Sequence, residues 1–596
     1  MSADDFKNKT INAMSQMPKA WRKISQNYFT KLSKKEVLRL NVLALLVGVT
    51  AGYAAIGLRY LIGFLQNLIL LGETNFDLVS TMQHTREYWI LLILPIGLMV
   101  SAFITRTFSK ESVGHGVPEV IESVMTKGGK MRKRVAVVKT AASSVTIASG
   151  GSVGWEGPIV QIGSVFGSAI SSFLNLRPKL VKTLVGCGAA GAIAASFNTP
   201  IAGVIFAIEI IILELKTKSF IPLVVASVAG TVVSRHYLGN EPAFTSPEYA
   251  LVSNHELFFY LLLGILSGVV GVMVIKFLYA CEDKFEAFPV HYLVKALFGG
   301  LVVAGIGVFY PEVLGVGYET IDSAIHQHSS FELMFYLIFL KIIAMSFTIA
   351  AGGSGGVFAP SLFIGAMLGG SFGYIVNWLY PSITAPFGAY ALVGMAGMFS
   401  ATSRATFTAI VILFEMTLDY SIILPLMLVC VAADQVSWLL FRESVYSYKL
   451  TRKGLSYVTD IGVNVMSITL IKDIMTPNVE AISLGMSYKD LKDIQGNSTH
   501  AVYPVVNEKN ILQGVVHQED LKAYVKTEGQ DFKTIIKKPK AVVGPNDSVA
   551  RAIEKIDKSR DPRILVVNKS TNKLLGIVSP VDLVRLSSND SDPDEA

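Results

Sequence analysis

Three glycine-rich strings, each closing on proline, carry the residue types from which an anion site can be built. They are Gly114-His115-Gly116-Val117-Pro118, Gly154-Trp155-Glu156-Gly157-Pro158 and Gly356-Val357-Phe358-Ala359-Pro360. Glycine lets a backbone turn sharply and approach a ligand, and proline in a first helical turn gives up no hydrogen bond that the helix needs. Each string therefore predicts a helix start. A helix N-terminus offers unpaired N–H groups and a partial charge of about +0.5, so it can hold an anion without a buried cation. A fixed Lys or Arg would bind more tightly, but a conducted ion must also leave. Glu156 stands inside the second string. A carboxylate in an apolar membrane segment costs roughly 3 kcal/mol, which marks it as functional, the plain alternative being an N-terminal helix cap.

These strings sit beside apolar runs that belong in a bilayer. Of 596 residues, 51% are hydrophobic and 16% charged, more apolar surface than one water-soluble core can hide. Runs 41–71, 89–104, 181–195, 201–215, 256–279, 292–309, 332–351 and 422–440 are each near or beyond the roughly 20 residues of a spanning helix. Segments 143–170 and 356–377 are broken by Gly or Pro, which is tolerated at membrane depth where the freed backbone lines a cavity or substrate site. Residues 1–40 are too long and too basic for a cleavable signal peptide, so a cytosolic N-terminal segment is expected. The basic loop Lys127–Arg134 belongs on the same side. The net charge of +7 thus reads as topology rather than nucleic-acid binding. Cys187, Cys281 and Cys430 are scattered, with no spacing for zinc, an iron–sulfur cluster or disulfides.

Two kinds of repeat organise the chain. Ser149–Pro158 matches Ala351–Pro360 without a gap, and Thr199–Glu209 matches Ala405–Glu415, each running apolar to a single Glu. Duplicated broken helices are the pattern of transporters with a site between the repeats. Near residue 458 the texture changes to short β-branched stretches and charged amphipathic segments. Val502–Val506, Gln513–Val516 and Glu519–Val525 return in order as Ile564–Asn568, Leu574–Val578 and Val581–Leu586: strand, strand, helix. Ile471–Pro477 with Ser487–Asp493, and Lys540–Gly544 with Ser548–Ile556, supply a preceding strand and helix for each unit. The acidic end, residues 588–596, reads as disordered.

The three strings in this order, Lys139 ahead of Glu156, Arg404 with Phe414-Glu415-Met416-Thr417, and the terminal Val445-Tyr446-Ser447 resemble the CLC family of chloride channels and proton-coupled chloride antiporters. Gly514-Val515-Val516 with Asp520, and Gly576-Ile577-Val578-Ser579 with Asp582, resemble paired CBS domains. The fold class implied is an all-α polytopic membrane protein, an inverted repeat of tilted and partly broken helices, with a cytosolic α/β CBS pair. The expected domains are the CLC-type transmembrane unit over 41–457 and the CBS pair over 458–587, its halves at about 470–527 and 535–587. The resemblance implies that Glu156 is the gating glutamate, which leaves the anion path when protonated or displaced. It implies an anion site at His115, Gly116, Trp155, Gly157, Val357, Phe358, Ala359 and Tyr446. It also implies a homodimer with one pore per subunit, in the inner membrane if the cell is prokaryotic. The plain alternative for Phe358 and Tyr446 is packing.

Two departures bear on mechanism. Most chloride-transporting members carry Ser where this chain has His115, whose imidazole can donate one hydrogen bond but can also become cationic near pH 6.5. The reading is that His115 bonds the anion or adds a second pH sensor, the bland alternative being that it turns away. Proton-coupled members commonly place a second Glu after the position of Glu209, where this chain has Ile210. A passive, Glu-gated chloride channel is therefore favoured, with anion/proton exchange as the alternative and a proton path through Glu156 and Glu209 left open. The expected partners are chloride or another small monovalent anion, and protons in the exchange reading. No cofactor is required; an adenine nucleotide at the CBS pair would use Asp582 for its ribose and Ser579 for its phosphates. A CBS-linked divalent-cation transporter is a remote alternative, since hard cations want several carboxylates or carbonyls and the strings present N–H groups. No paired His and Glu, nucleophile elbow or Walker loop in the apolar region suggests an enzyme.

Overall fold

In a computed structural model the apolar part of the chain folds into two successive sets of eight helices. The structure describes residues 34–455 and 469–582, apart from 79–87, 214–216, 241–243, 245, 246, 248, 250, 478, 498, 499, 501, 528–530, 540, 550, 553, 554, 556–562, 569, 570, 580 and 581. The expectations for residues 1–33 and for the acidic end lie outside it. The first set is α1 Lys34–Gln66, α2 Ile90–Phe108, α3 Val117–Thr126, α4 Arg134–Ala148, α5 Glu156–Phe173, α6 Pro178–Phe197, α7 Pro200–Phe206 and α8 Thr217–Leu238. The second is α9 Glu256–Ala287, α10 Tyr292–Phe309, α11 Tyr318–Ile325, α12 Phe331–Ala350, α13 Phe358–Leu379, α14 Phe387–Ser403, α15 Thr406–Thr417 and α16 Ile423–Leu440. A short α17, Ser447–Arg452, ends the unit.

The backbone repeats with the order. Positive φ recurs at matched positions: 90° at Gly116 and 88° at Gly317, 97° at Gly150 and 101° at Gly352, 61° at Asn198 and 62° at Arg404, 58° at Leu213 and 55° at Leu418. Non-glycine residues rarely enter this region, so coincidence at the two non-glycine pairs, beside two glycine pairs, is the mark of one structural unit used twice. Nine of the described helices are long and apolar enough to cross a membrane. Helices α1 and α9, of 33 and 32 residues, are about 50 Å long and fit a hydrocarbon layer of about 30 Å by tilting.

The structure corrects two readings of the runs. Run 201–215 is not a spanning helix but the short α7, widened into a π-helical turn over Ala207–Ile212. The second break lies at 351–357, ahead of an unbroken α13.

Little hydrophobic force drives helices together inside lipid, so close backbone approach has to. A Cβ on Gly188 of α6 would lie 2.0 Å from the Gly163 carbonyl of α5, and one on Gly163 would lie 2.3 Å from the Gly188 carbonyl. The second set repeats this crossing, with Gly365 of α13 and Gly394 of α14 each 2.4 Å from the other's carbonyl.

The second compact unit, Ser456–Ala596, holds two like sheets. β1 Ile482–Ser483 runs parallel to β2 Val502–Val506, which pairs antiparallel with β3 Leu512–His517. β4 Val542–Val543, β5 Ile564–Val567 and β6 Leu574–Val578 repeat that order and sense. Helices Tyr488–Asn497 and Gln518–Lys526 flank the first sheet. Val506, Leu512 and Val515 pack with Leu565, Val567 and Leu574 to join the two sheets. The strand expected over Ile471–Pro477 is instead a helical turn, Ile471–Ile474, because apolar residues three apart make a helical stripe and Ile471 is fully buried. The helix expected over 581–586 lies largely outside the described residues.

Replacing Gly188 with Ala should destabilise the folded protein by about 1–3 kcal/mol, the usual cost of overpacking. Gly57→Ala, where a Cβ meets nothing within 4 Å, should be neutral or better. Melting midpoints of the detergent-solubilised variants check this, and equal midpoints would refute it.

Candidate anion site

The two broken segments meet face to face. Gly154 N–H donates to the Gly356 carbonyl at 2.9 Å and Gly356 N–H to the Gly154 carbonyl at 2.6 Å. Beside them, Ser152 N–H donates to Thr348 Oγ1 (3.3 Å) and Ser354 N–H to Thr146 Oγ1 (3.1 Å). Each half thus satisfies the other's interrupted backbone, and the N-termini of α5 and α13 are brought together. The string before α3 joins them, since a Cβ on Gly157 would lie 2.1 Å from the His115 carbonyl and 3.0 Å from Gly356 Cα. All three strings converge as read from the sequence. The structure adds α11, which follows Gly317 as α3 follows Gly116 and lies against the same site.

Glu156 is 1% exposed. Its side chain folds back over Gly154, where a Cβ would lie 2.0 Å from Oε2. Oε1 accepts the Tyr318 hydroxyl at 2.5 Å, and Oε2 completes no hydrogen bond. The backbone N–H groups of Glu156 and Ala359 face the carboxylate, so it occupies the kind of place an anion would take between two helix starts. Trp155, Val357 and Ala359 are buried around it. Phe358, in the position equivalent to Glu156, packs between Phe197 (stacked, 5.2 Å between ring centroids) and Phe399 (tilted, 4.3 Å). Phe197 is the last residue of α6, and Phe399 lies in the last turns of its counterpart α14. Tyr446 is buried at the head of α17, its N–H donating to Ser444 Oγ at 3.2 Å.

His115 has no exposed surface, and neither ring nitrogen has a hydrogen-bond partner. The ring lies edge-on to Tyr279 (6.1 Å), with Nε2 3.7 Å from Glu282 Oε1. Gly116 N–H already donates to Glu119 Oε2 at 3.0 Å, and Glu119 Oε1 pairs with Lys449 at 2.8 Å. That N–H is therefore a cap rather than a ready anion donor. Lys139 and Lys341 are fully buried counterparts. Lys139 Nζ donates to the Ser112 (3.1 Å) and Gly114 (2.6 Å) carbonyls, and Lys341 Nζ to those of Val313 (2.9 Å) and Gly315 (3.0 Å). A buried charge needs such partners. The two lysines fix the turns that aim α3 and α11.

Glu209 accepts from Phe407 N–H (3.2 Å), Thr408 N–H (2.8 Å) and the Thr408 hydroxyl (2.6 Å), capping α15. Glu415 returns the contact by accepting from Ile201 (3.0 Å) and Ala202 (2.7 Å) N–H at the head of α7. Ile210 is buried. In the second unit, Ser579 N–H (2.8 Å) and hydroxyl (2.7 Å) both donate to Asp582 Oδ2, so this carboxylate oxygen is already engaged. The ribose role expected for Asp582 would have to work around it.

Sequence reading missed Tyr318 and Lys341. A faint signal existed for both: Gly315-Val316-Gly317 repeats the Gly-x-Gly of Gly114–Gly116, and Lys341 precedes Phe358 by 17 residues, as Lys139 precedes Glu156.

Comparison with known proteins matches this geometry to a family. The voltage gated chloride channel profile matches residues 97–438, and the CBS domain profile matches 471–527 and 532–589. A putative chloride channel protein ClcB-like of Ralstonia nicotianae is 30% identical over 412 residues, covering 68% of this chain and 95% of that protein. An H(+)/Cl(-) exchange transporter ClcA of Vibrio parahaemolyticus is 29% identical over 422 residues, covering 69% and 89%. Among solved structures, a eukaryotic CLC transporter superposes with a TM-score of 0.62 at 21% identity, over 92% of this chain and 99% of that one. A slow cyanobacterial Cl-/H+ antiporter gives 0.62 at 24% identity, over 70% and 98%. The chain belongs to the voltage-gated chloride channel (CLC) family of integral membrane anion transporters, and it carries a pair of CBS domains.

Proposed function

We propose that the chain moves chloride, or a similar small monovalent anion, past the helix starts of α5 and α13, with Glu156 as the gate. One observation carries this reading: a buried carboxylate rests between two helix N-termini with one oxygen unpartnered. The ionised side chain imitates the transported anion and blocks its path. Protonation removes the charge that the helix ends attract, so the side chain leaves and anions pass. His115 completes the path. Buried polar atoms are normally satisfied, and two orphan ring nitrogens suit an anion that accepts from one of them. The charged groups around the ring are Glu282 of α9, Glu119 of α3, Lys139 of α4 and Lys449 of α17.

Passive conduction is supported by Ile210, which carries no proton, and by Glu209, whose carboxylate serves as a cap. Exchange is the second reading, favoured by relatives that are named H(+)/Cl(-) exchange transporters. As in the family resemblance, the protein works as a homodimer with a path in each subunit, its CBS pair in the cytosol.

Three measurements in liposomes test these readings. Glu156→Gln should give chloride flux that no longer rises as pH falls; flux and pH dependence both unchanged would end the gating reading. Under opposed chloride and proton gradients, the reversal potential should sit at the chloride equilibrium value for conduction, and a displaced value means exchange. His115→Ser should alter the ratio of chloride, bromide, nitrate and fluoride fluxes, and an unchanged ratio removes His115 from the anion path.

A further inference from the structure

The contact that holds Glu156 comes from the other half of the molecule. Tyr318 is the first residue of α11, and its hydroxyl reaches Glu156 Oε1 across 162 residues of sequence. Its ring is fixed on two sides, edge-on to Trp155 (5.5 Å) and to Phe244 (5.6 Å). The turn that launches α11 is pinned as well. Lys341 grips the Val313 and Gly315 carbonyls, Ser152 Oγ donates to Val313 (2.8 Å), and Gly315 N–H donates to the Gly150 carbonyl (3.1 Å). Two of these bonds tie the α11 turn to the loop that leads into α5. The hydroxyl is thus a prepositioned donor whose distance to the gate does not depend on a flexible chain.

We propose that Tyr318 is the latch of the gate: a positioning residue that holds the ionised Glu156 side chain in its seated place between the helix starts. This rests on the reading of Glu156 as the gate. A phenol donates more strongly to a carboxylate than to a neutral acid, because hydrogen bonds to a charged acceptor are roughly twice as strong. The latch therefore favours the seated, charged gate and lets go when the acid is protonated. The position is specific to one half, since the residue equivalent to Tyr318 is Val117 and the residue equivalent to Glu156 is Phe358. Neither can form such a bond. The charged group facing Tyr318 is Arg59 of α1, with Asp77 beside it, while the Glu156 carboxylate faces Tyr318 and the N–H groups of Glu156 and Ala359.

Chloride flux against pH in liposomes, for the wild-type chain, Tyr318→Phe, Glu156→Ala and the double variant, tests the latch. Tyr318→Phe keeps the ring and its packing, and an unchanged melting midpoint in detergent checks that it folds. It should move the pH of half-maximal flux up by about one unit, a tenfold change in the gating equilibrium and the scale of one charge-assisted hydrogen bond. In the Glu156→Ala background the same substitution should produce no shift. If Glu156→Ala abolishes pH dependence while Tyr318→Phe follows the wild-type curve, the latch fails and the gate stands. An equal fold-change in flux from Tyr318→Phe in both backgrounds also overturns the latch, because its action would not pass through the carboxylate. If Glu156→Ala retains the wild-type pH dependence, the gating reading fails first and takes the latch with it.

Discussion

Every backbone N–H and C=O at membrane depth needs a partner, because hydrocarbon offers none. A helix interrupted there exposes such groups, and in this chain the two interruptions satisfy each other. The Gly154–Gly356 pair and the crossed bonds from Ser152 to Thr348 and from Ser354 to Thr146 are the same bonds made in both directions. That reciprocity requires two halves with the same turn in opposite orientation. It also leaves the first N–H groups of α5 and α13 directed at a shared space instead of at carbonyls one turn back. The candidate anion site is what remains when the break has otherwise been repaired.

The charges near the site follow a consistent division of labour. Lys139 and Lys341 are buried near the candidate site, yet each gives its ammonium to two loop carbonyls, so it shapes a turn without offering a trap for an anion. Glu119 caps its own helix and is balanced by Lys449. Glu209 and Glu415 cap one another's neighbouring helices. Among these carboxylates Glu156 alone has a buried oxygen without a partner. A group whose ionised form is only partly satisfied changes place at low cost, which suits a gate and would be a defect in a cap.

Much of this was legible in the sequence, because glycine and proline mark helix starts and duplicated strings mark duplicated turns. The contacts of Glu156 with Tyr318 were not, since a contact between repeats leaves no spacing to count. Lys341 in an apolar run resembles a side chain that reaches for the membrane surface, and only its fixed distance from Phe358 hints otherwise. The third repeated string went unseen because Gly315–Gly317 lacks the proline of Gly114–Pro118, leaving two glycines to carry the match. The turn at Ile471–Ile474 read as a strand because four residues hold too few side chains to separate a period of 2 from one of 3.6. Run 201–215 read as a span because its length was counted across the π turn and beyond Ile212.

A scaffold with twofold internal symmetry would by itself give two equivalent helix starts and a path with the same barrier at each. At these helix starts the chain breaks the symmetry by side chain: Glu156 against Phe358, Tyr318 against Val117, His115 against Val316. The backbone angles at the corresponding turns differ by only a few degrees, as at Gly116 and Gly317. One helix start therefore carries a carboxyl group with a hydroxyl hydrogen-bonded to it, and its twin carries an aromatic ring packed between two others. A carboxylate answers to protons and to competing anions, whereas a packed ring answers to neither. A gate at one helix start thus requires no difference in backbone turn there, only three substitutions at positions the repeat makes equivalent.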